Sequence, residues 1–136
     1  DAEGRLVLSD GVAYAAKHLA PHCILDMATL TGAQMVTHGK RVASLLTNDE
    51  NWEDKAVAAG RASGDLVFPL LYMPETLMAE FDSEVADMKN SVKDRMNAQC
   101  SCAGHFIEAN LQATGYTGPW VHVDMAGPST DGQTGT

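Results

Sequence analysis

Asp1-Ala2-Glu3-Gly4-Arg5 places two carboxylates and a guanidinium in one short run. If the backbone is extended there, Asp1 and Glu3 project to the same side. They can then share a hard or borderline metal ion through oxygen. Arg5 is suited to hold an anion, because its planar fork makes paired hydrogen bonds. The same residues also suit a helix start, where Asp and Glu offset the macrodipole. The pattern alone leaves both readings open.

Other reactive residue types are dispersed. Of His18, His22, His38, His105 and His122, only the first two have metal-ligand spacing on a helix, and Pro21 interrupts it. All five read as structural or surface residues. His122 and Asp124 alternate on one strand face, so they are expected to pair in the core. A serine triad is not expected, since no G-x-S-x-G elbow occurs. Cys23, Cys100 and Cys102 are odd in number and lack a second zinc half-site, so they read as reduced thiols. Asp26 reads as a buried polar residue held by backbone donors.

The elements that must position these groups are legible from periodicity. Leu8, Val12, Ala15 and Leu19 predict a helix over residues 5–20, before Pro21. Residues 24–29 read as a buried strand, followed by a short helical or irregular piece to Gly39. Residues 41–47 read as a second strand. Asn51 is a candidate cap for a helix over 52–63, with Gly64 ending it. A short helix over 75–81 follows Pro74, and 82–97 reads as a polar surface loop. Ala103, Ile107, Leu111 and Thr114 predict a helix over 99–114, and 120–125 reads as a third strand. This order implies an α/β fold with a three-layer, mostly parallel sheet and helices on both faces. Such sheets bind ligands at the carboxyl ends of strands, which points to residues 28–32 and 125–128.

The net charge is -9, with nine basic residues scattered along the chain. This argues against nucleic acid as a partner. No apolar run approaches the ~18 residues of a membrane span. The chain reads as one soluble, cytoplasmic domain. Asp82, Glu84, Asp87, Lys89, Lys93, Asp94 and Arg95 form a mixed charge run, read as a solvated loop with a subunit-interface role as the second reading. Phe68 and residues 70–73 fit either core packing or an oligomer contact.

The run DAEGRLVLSDGVAYA resembles the signature of the leucine (cytosol) aminopeptidase family. LDMATLTGAQ and WVHVDMAG resemble two later blocks of that family, and ADMKNSVKDR and CAGHFIEANL fall in order between them. The likeness covers essentially the whole chain. FPLLYMPE, ADMKNSVKDR and QCSCAG most resemble the animal probable aminopeptidase-like branch. A segment around Asp26 also has some likeness to the aspartate motif of haloacid-dehalogenase-like enzymes, but its spacing is one residue short.

The family resemblance implies a metalloaminopeptidase with two divalent ions, zinc or manganese, and a bicarbonate. It makes Asp1 and Glu3 metal ligands, Glu3 bridging both ions, and Arg5 the catalytic residue that holds the bicarbonate as general base. It makes Thr29, Leu30, Gly32 and Ala126 substrate-binding: the Leu30 carbonyl and Gly32 N–H meet the peptide, and Ala126 walls the pocket for the first side chain. Peptides are the implied substrates, and a homohexamer the implied assembly. Residues 1–136 are expected to be the C-terminal part of the catalytic domain, cut at both ends. The family's remaining ligands, a lysine and two aspartates, lie upstream with a second, catalytic lysine. The 136 residues alone are therefore expected to bind metal weakly and to be inactive, with an exposed sheet edge. A different class of function also fits: an inactive homologue acting as a scaffold or regulatory subunit. Intact Asp1, Glu3 and Arg5 speak against it.

Overall fold

The computed structural model describes residues 2–129. Helix α1 (Glu3–His18) leads to strand β1 (Ile24–Ala28), the short helix α2 (Ala33–His38) and strand β2 (Ala43–Thr47). Helix α3 (Glu50–Ser63), strand β3 (Val67–Pro69) and the single turn α4 (Pro74–Leu77) follow, then a 3-10 turn over Met78–Phe81. Helix α5 (Gln99–Gln112) and strand β4 (Trp120–Asp124) complete the described elements.

The strands form one sheet in the order β1-β4-β2-β3. β1 and β4 are parallel, with Ile24 opposite Trp120 and Ala28 opposite Asp124. β2 and β3 are also parallel, and β2 meets β4 antiparallel. The sheet is thus mixed and mostly parallel. The expected α/β architecture is present, with this one antiparallel junction added.

Period-two alternation sorts the central strands onto two faces. Leu46 and Trp120 face α1 and α5, packing with Val12, Ile24, Ile107 and Leu111. Leu45 and Val121 face the other way, against Trp52, Ala56 and Val57 of α3. These are the three layers. Leu45 and Leu46 are fully buried, and each such side chain stabilises the fold by about 2 kcal/mol. α5 is buried continuously from Cys100 to Glu108, because it lies between the sheet and α1. A Cβ on Gly104 would run into the end of the Leu46 side chain, so the absence of a side chain there lets α5 sit this close to β2 without displacing Leu46. A third cluster, of Leu77, Phe81, Cys102 and Phe106, packs beneath α4.

Local details differ from the expectations in three places. α1 starts at Glu3 and stops at His18, and Leu19 is exposed beyond it. The turn into Pro21 passes through Ala20 at φ 47, since the residue before proline avoids helical backbone. α3 is capped not by Asn51 but by Asp49, whose Oδ1 accepts the Trp52 N–H at 3.1 Å. Gly64 does end it, at φ 87. β3 (Val67–Pro69) is a strand where the sequence pattern indicates no element.

β1 lies at the sheet edge, and its Leu25 and Met27, on the same face as Val121 and Val123, are 57% and 56% exposed. Among the described residues no helix is long and apolar enough to cross a membrane.

Candidate active site

The carboxyl ends of β1 and β4 lie side by side, and Asp124 ties them together. Its side chain is fully buried. Oδ1 accepts the Leu30 N–H at 3.1 Å and Oδ2 the Thr31 N–H at 3.1 Å. The Thr31 hydroxyl also donates to Oδ2, and the Ala126 N–H donates to Oδ1 at 3.2 Å. Thr31 Oγ1 further contacts Cys100 Sγ at 3.0 Å. Residues 29–32 are therefore a turn built on a buried carboxylate. Main-chain donors are its natural partners, because an ionised carboxylate only accepts.

The first turn of α1 meets this turn directly. A Cβ on Gly4 would come 3.4 Å from Leu30 Cδ1. Arg5, one residue on, is half-buried, and its guanidinium carbon lies 5.9 Å from the centre of the Phe81 ring. Its Nε and Nη1 are buried with no hydrogen-bond partner. Burial lowers the Arg5 pKa, while nearby Cys102 and Asp124 oppose that shift. Cys102 is itself pushed up to about 11, first by burial and then by Glu80. Its thiol is thus neutral near pH 7, and Asp124 is the opposing anion that counts. Two unmade hydrogen bonds on the buried edge of a cation are costly.

Arg5, Leu30, Thr31 and Gly32 line one cavity of about 420 Å³ together with Lys93 and Arg95. The loop bearing those two cations is anchored at Glu80. One Glu80 oxygen accepts the Lys93 N–H at 2.8 Å and the Asp94 N–H at 2.9 Å, and the other accepts from Asn97 Nδ2 at 2.8 Å. Asn90 Nδ2 donates to the Ala2 carbonyl at 3.3 Å, fastening the loop to the start of α1.

The sequence-derived residues divide as follows. Arg5, Leu30 and Gly32 share the cavity. Thr29 is exposed on the same turn. Ala126 is joined to the site through Asp124 and is not among the described cavity-lining residues. Glu3 is the first residue of α1 and is exposed, so the extended backbone assumed for the Asp1–Glu3 pair does not hold at Glu3. Asp1 lies outside the described residues. Sequence reasoning missed Asp124 as the organiser of the turn, and it missed Lys93 and Arg95 at the cavity. The strand-end position of Asp124 was the available signal; for the two cations none stood out from the solvated run.

The expected His122–Asp124 pair does not form. His122 Nδ1 meets Asp26 Oδ1 at 2.5 Å instead, and Trp120 Nε1 donates to Asp26 Oδ2 at 2.7 Å. Side chains on β4, not backbone donors, hold this β1 carboxylate across the β1–β4 register, which sets Asp26 opposite His122. His105 and Glu108 make a second buried polar pair at 3.3 Å, with Tyr72 donating to Glu108 at 2.7 Å. Among the described residues no three His, Cys, Asp or Glu side chains gather to hold a metal ion.

A parallel strand pair whose carboxyl ends present an anchored turn and a half-buried arginine beside a cavity is the arrangement of an α/β domain with a ligand-sized site at its strand ends. The chain belongs to the cytosol aminopeptidase family, whose catalytic-domain model matches residues 1–136. It is 56% identical over 136 residues to the human "Probable aminopeptidase NPEPL1", covering 100% of this chain and 26% of that protein. It is 46% identical over 137 residues to "Leucine aminopeptidase 1" of Caenorhabditis elegans, covering 28% of that protein. The solved leucyl aminopeptidase of Trypanosoma brucei superposes with a TM-score of 0.93 at 47% identity, over 97% of this chain and 26% of that one. The chain thus spans about a quarter of the length of the relatives it matches.

Proposed function

We propose that the full-length protein carrying this chain is a two-metal aminopeptidase that releases the N-terminal residue of peptides. The supporting observation is Arg5, whose Nε and Nη1 are buried without partners at a cavity shared with Leu30 and Gly32. A buried guanidinium edge with vacant N–H groups fits a planar anion, and bicarbonate has that geometry. Bicarbonate held by Arg5 would serve as the general base. The Leu30 carbonyl and Gly32 N–H orient the peptide, and Thr29 and Ala126 complete the substrate-binding set. Asp124 positions the turn from behind.

Asp1 and Glu3 would supply carboxylates to the metal site, and a lysine and two aspartates elsewhere in the protein would supply the rest. Zinc or manganese, when bound as a pair, acidifies water, polarises the scissile carbonyl and anchors the free α-amine. A cytoplasmic homo-oligomer, a hexamer in this reading, is the proposed form.

The test is hydrolysis of Leu-p-nitroanilide or a short leucyl peptide by the full-length protein with added manganese or zinc. Activity that a chelator abolishes and metal restores supports the reading. No activity from metal-loaded protein with all ligands present favours the scaffold alternative.

A further inference from the structure

The cavity's charge runs opposite to that of the chain. Eighteen Asp and Glu outnumber nine Lys and Arg in the sequence. Yet the described residues lining the cavity include Arg5, Lys93 and Arg95 and no carboxylate. Like charges gathered on a concave surface repel, and the focused field attracts an anion. The loop is not a loose charged run: Glu80 and Asn90 hold its backbone in place. The ion pair of Lys93 Nζ with Asp82 is 3.9 Å long, between side chains 57% and 72% exposed, and such pairs contribute little. Arg95 makes no ion pair among the described residues.

We propose that Lys93 and Arg95 receive a carboxylate of the peptide substrate, on the portion that departs after cleavage. The inference rests on the aminopeptidase reading. An enzyme that removes one residue from the amino end leaves the C-terminal carboxylate, and any acidic side chain beyond the first residue, on the departing piece. Arg5 is committed to the bicarbonate, so the two loop cations are the ones left for substrate. A cavity of about 420 Å³ is in the range that holds a small ligand. The carboxylate has two sources, the free C-terminus of a short peptide and an acidic side chain.

The experiment uses the full-length, manganese-loaded protein with Leu-Gly-Gly, its C-terminal amide, and Leu-Gly-Glu amide. Calorimetric binding of the departing pieces Gly-Gly, Gly-Gly amide and Gly-Glu amide gives a readout independent of turnover. The wild type is expected to prefer at least one carboxylate-bearing peptide over the neutral amide by about tenfold in kcat/KM, mainly through KM, since one charge-assisted contact has that size. In Lys93→Ala/Arg95→Ala the ratio falls to near one, and Lys93→Arg keeps it. Preference for Leu-Gly-Gly alone assigns the C-terminal carboxylate, and preference for Leu-Gly-Glu amide alone assigns the side chain. Equal rates on all three peptides, or a preference that survives the double substitution, overturn the proposal. If none of the three is hydrolysed, the aminopeptidase reading fails on its own. The calorimetry then decides: Gly-Gly or Gly-Glu amide must bind more tightly than Gly-Gly amide, and the double substitution must erase the difference.

Discussion

Asp124 and Thr31 are joined twice, through the Thr31 N–H at 3.1 Å and through its hydroxyl, and this double link sets the end of β1 against the end of β4. The carboxylate also takes the Leu30 and Ala126 N–H groups. Asp124→Ala leaves these donors buried and unmade, so it is expected to destabilise the full-length protein by about 3 kcal/mol. Asp124→Asn is expected to cost less, because one oxygen still accepts. Urea unfolding checks the order. Equal stability of all three proteins would show that the turn does not depend on this carboxylate.

Arg5 is expected to trade stability for activity. Its two buried, unpartnered nitrogens cost more than its contact with Phe81 returns, since that contact is worth only about 0.5–1 kcal/mol. Arg5→Met should therefore raise stability by roughly 1 kcal/mol. The same substitution should lower kcat at least about 100-fold, the usual loss when a general base is removed. Added bicarbonate should speed the wild type and leave the variant unaffected. Thermal unfolding and turnover measured on one preparation test both halves.

The loop carrying Lys93 and Arg95 should respond to acid. Hydrogen bonds from the Asp94 N–H, Asn97 and the Lys93 N–H, with Lys89 adding its charge, hold the Glu80 carboxyl below its ordinary 4.5. A depressed carboxylate contributes its stability above the ordinary range and loses it as pH falls through the lowered value. The difference in melting temperature between wild type and Glu80→Gln should thus be positive at pH 7 and shrink below pH 4.5. A difference that is constant with pH would contradict this.

Gly104 should be intolerant of a methyl group. An added Cβ meets Leu46, and overpacking of a filled core costs about 1–3 kcal/mol. In Gly104→Ala/Leu46→Ala the methyl gains room, so the double variant should be less destabilised than the sum of the singles. Strict additivity would mean that α5 shifts away instead.

Much of the fold could be read in advance because α1, α3, α5 and the two central strands bury apolar residues at regular spacing. β3 could not, because Val67–Pro69 is three residues long and includes a proline, which marks edges and turns as readily as strands. The partner of His122 was not legible either. It depends on β1 and β4 lying in register, a pairing between segments far apart in the chain. The site was half legible. Arg5, Leu30 and Gly32 stand in motif blocks, and the fold brings them to one cavity. Lys93 and Arg95 stand in a run whose composition is that of solvated surface, and only the anchoring of that loop on Glu80 and Asn90 brings them to the same place.

The central claim is that the opening acidic segment is a metal-ligand edge beside the Arg5 cavity. Its most direct test is the metal content of the full-length protein and its Glu3→Gln variant, measured by plasma mass spectrometry beside leucyl-peptide hydrolysis. The account predicts about two divalent ions per chain in the wild type. It predicts fewer in the variant, with a rate loss of at least about 100-fold. A Glu3→Gln protein that keeps its metal and its rate would contradict it.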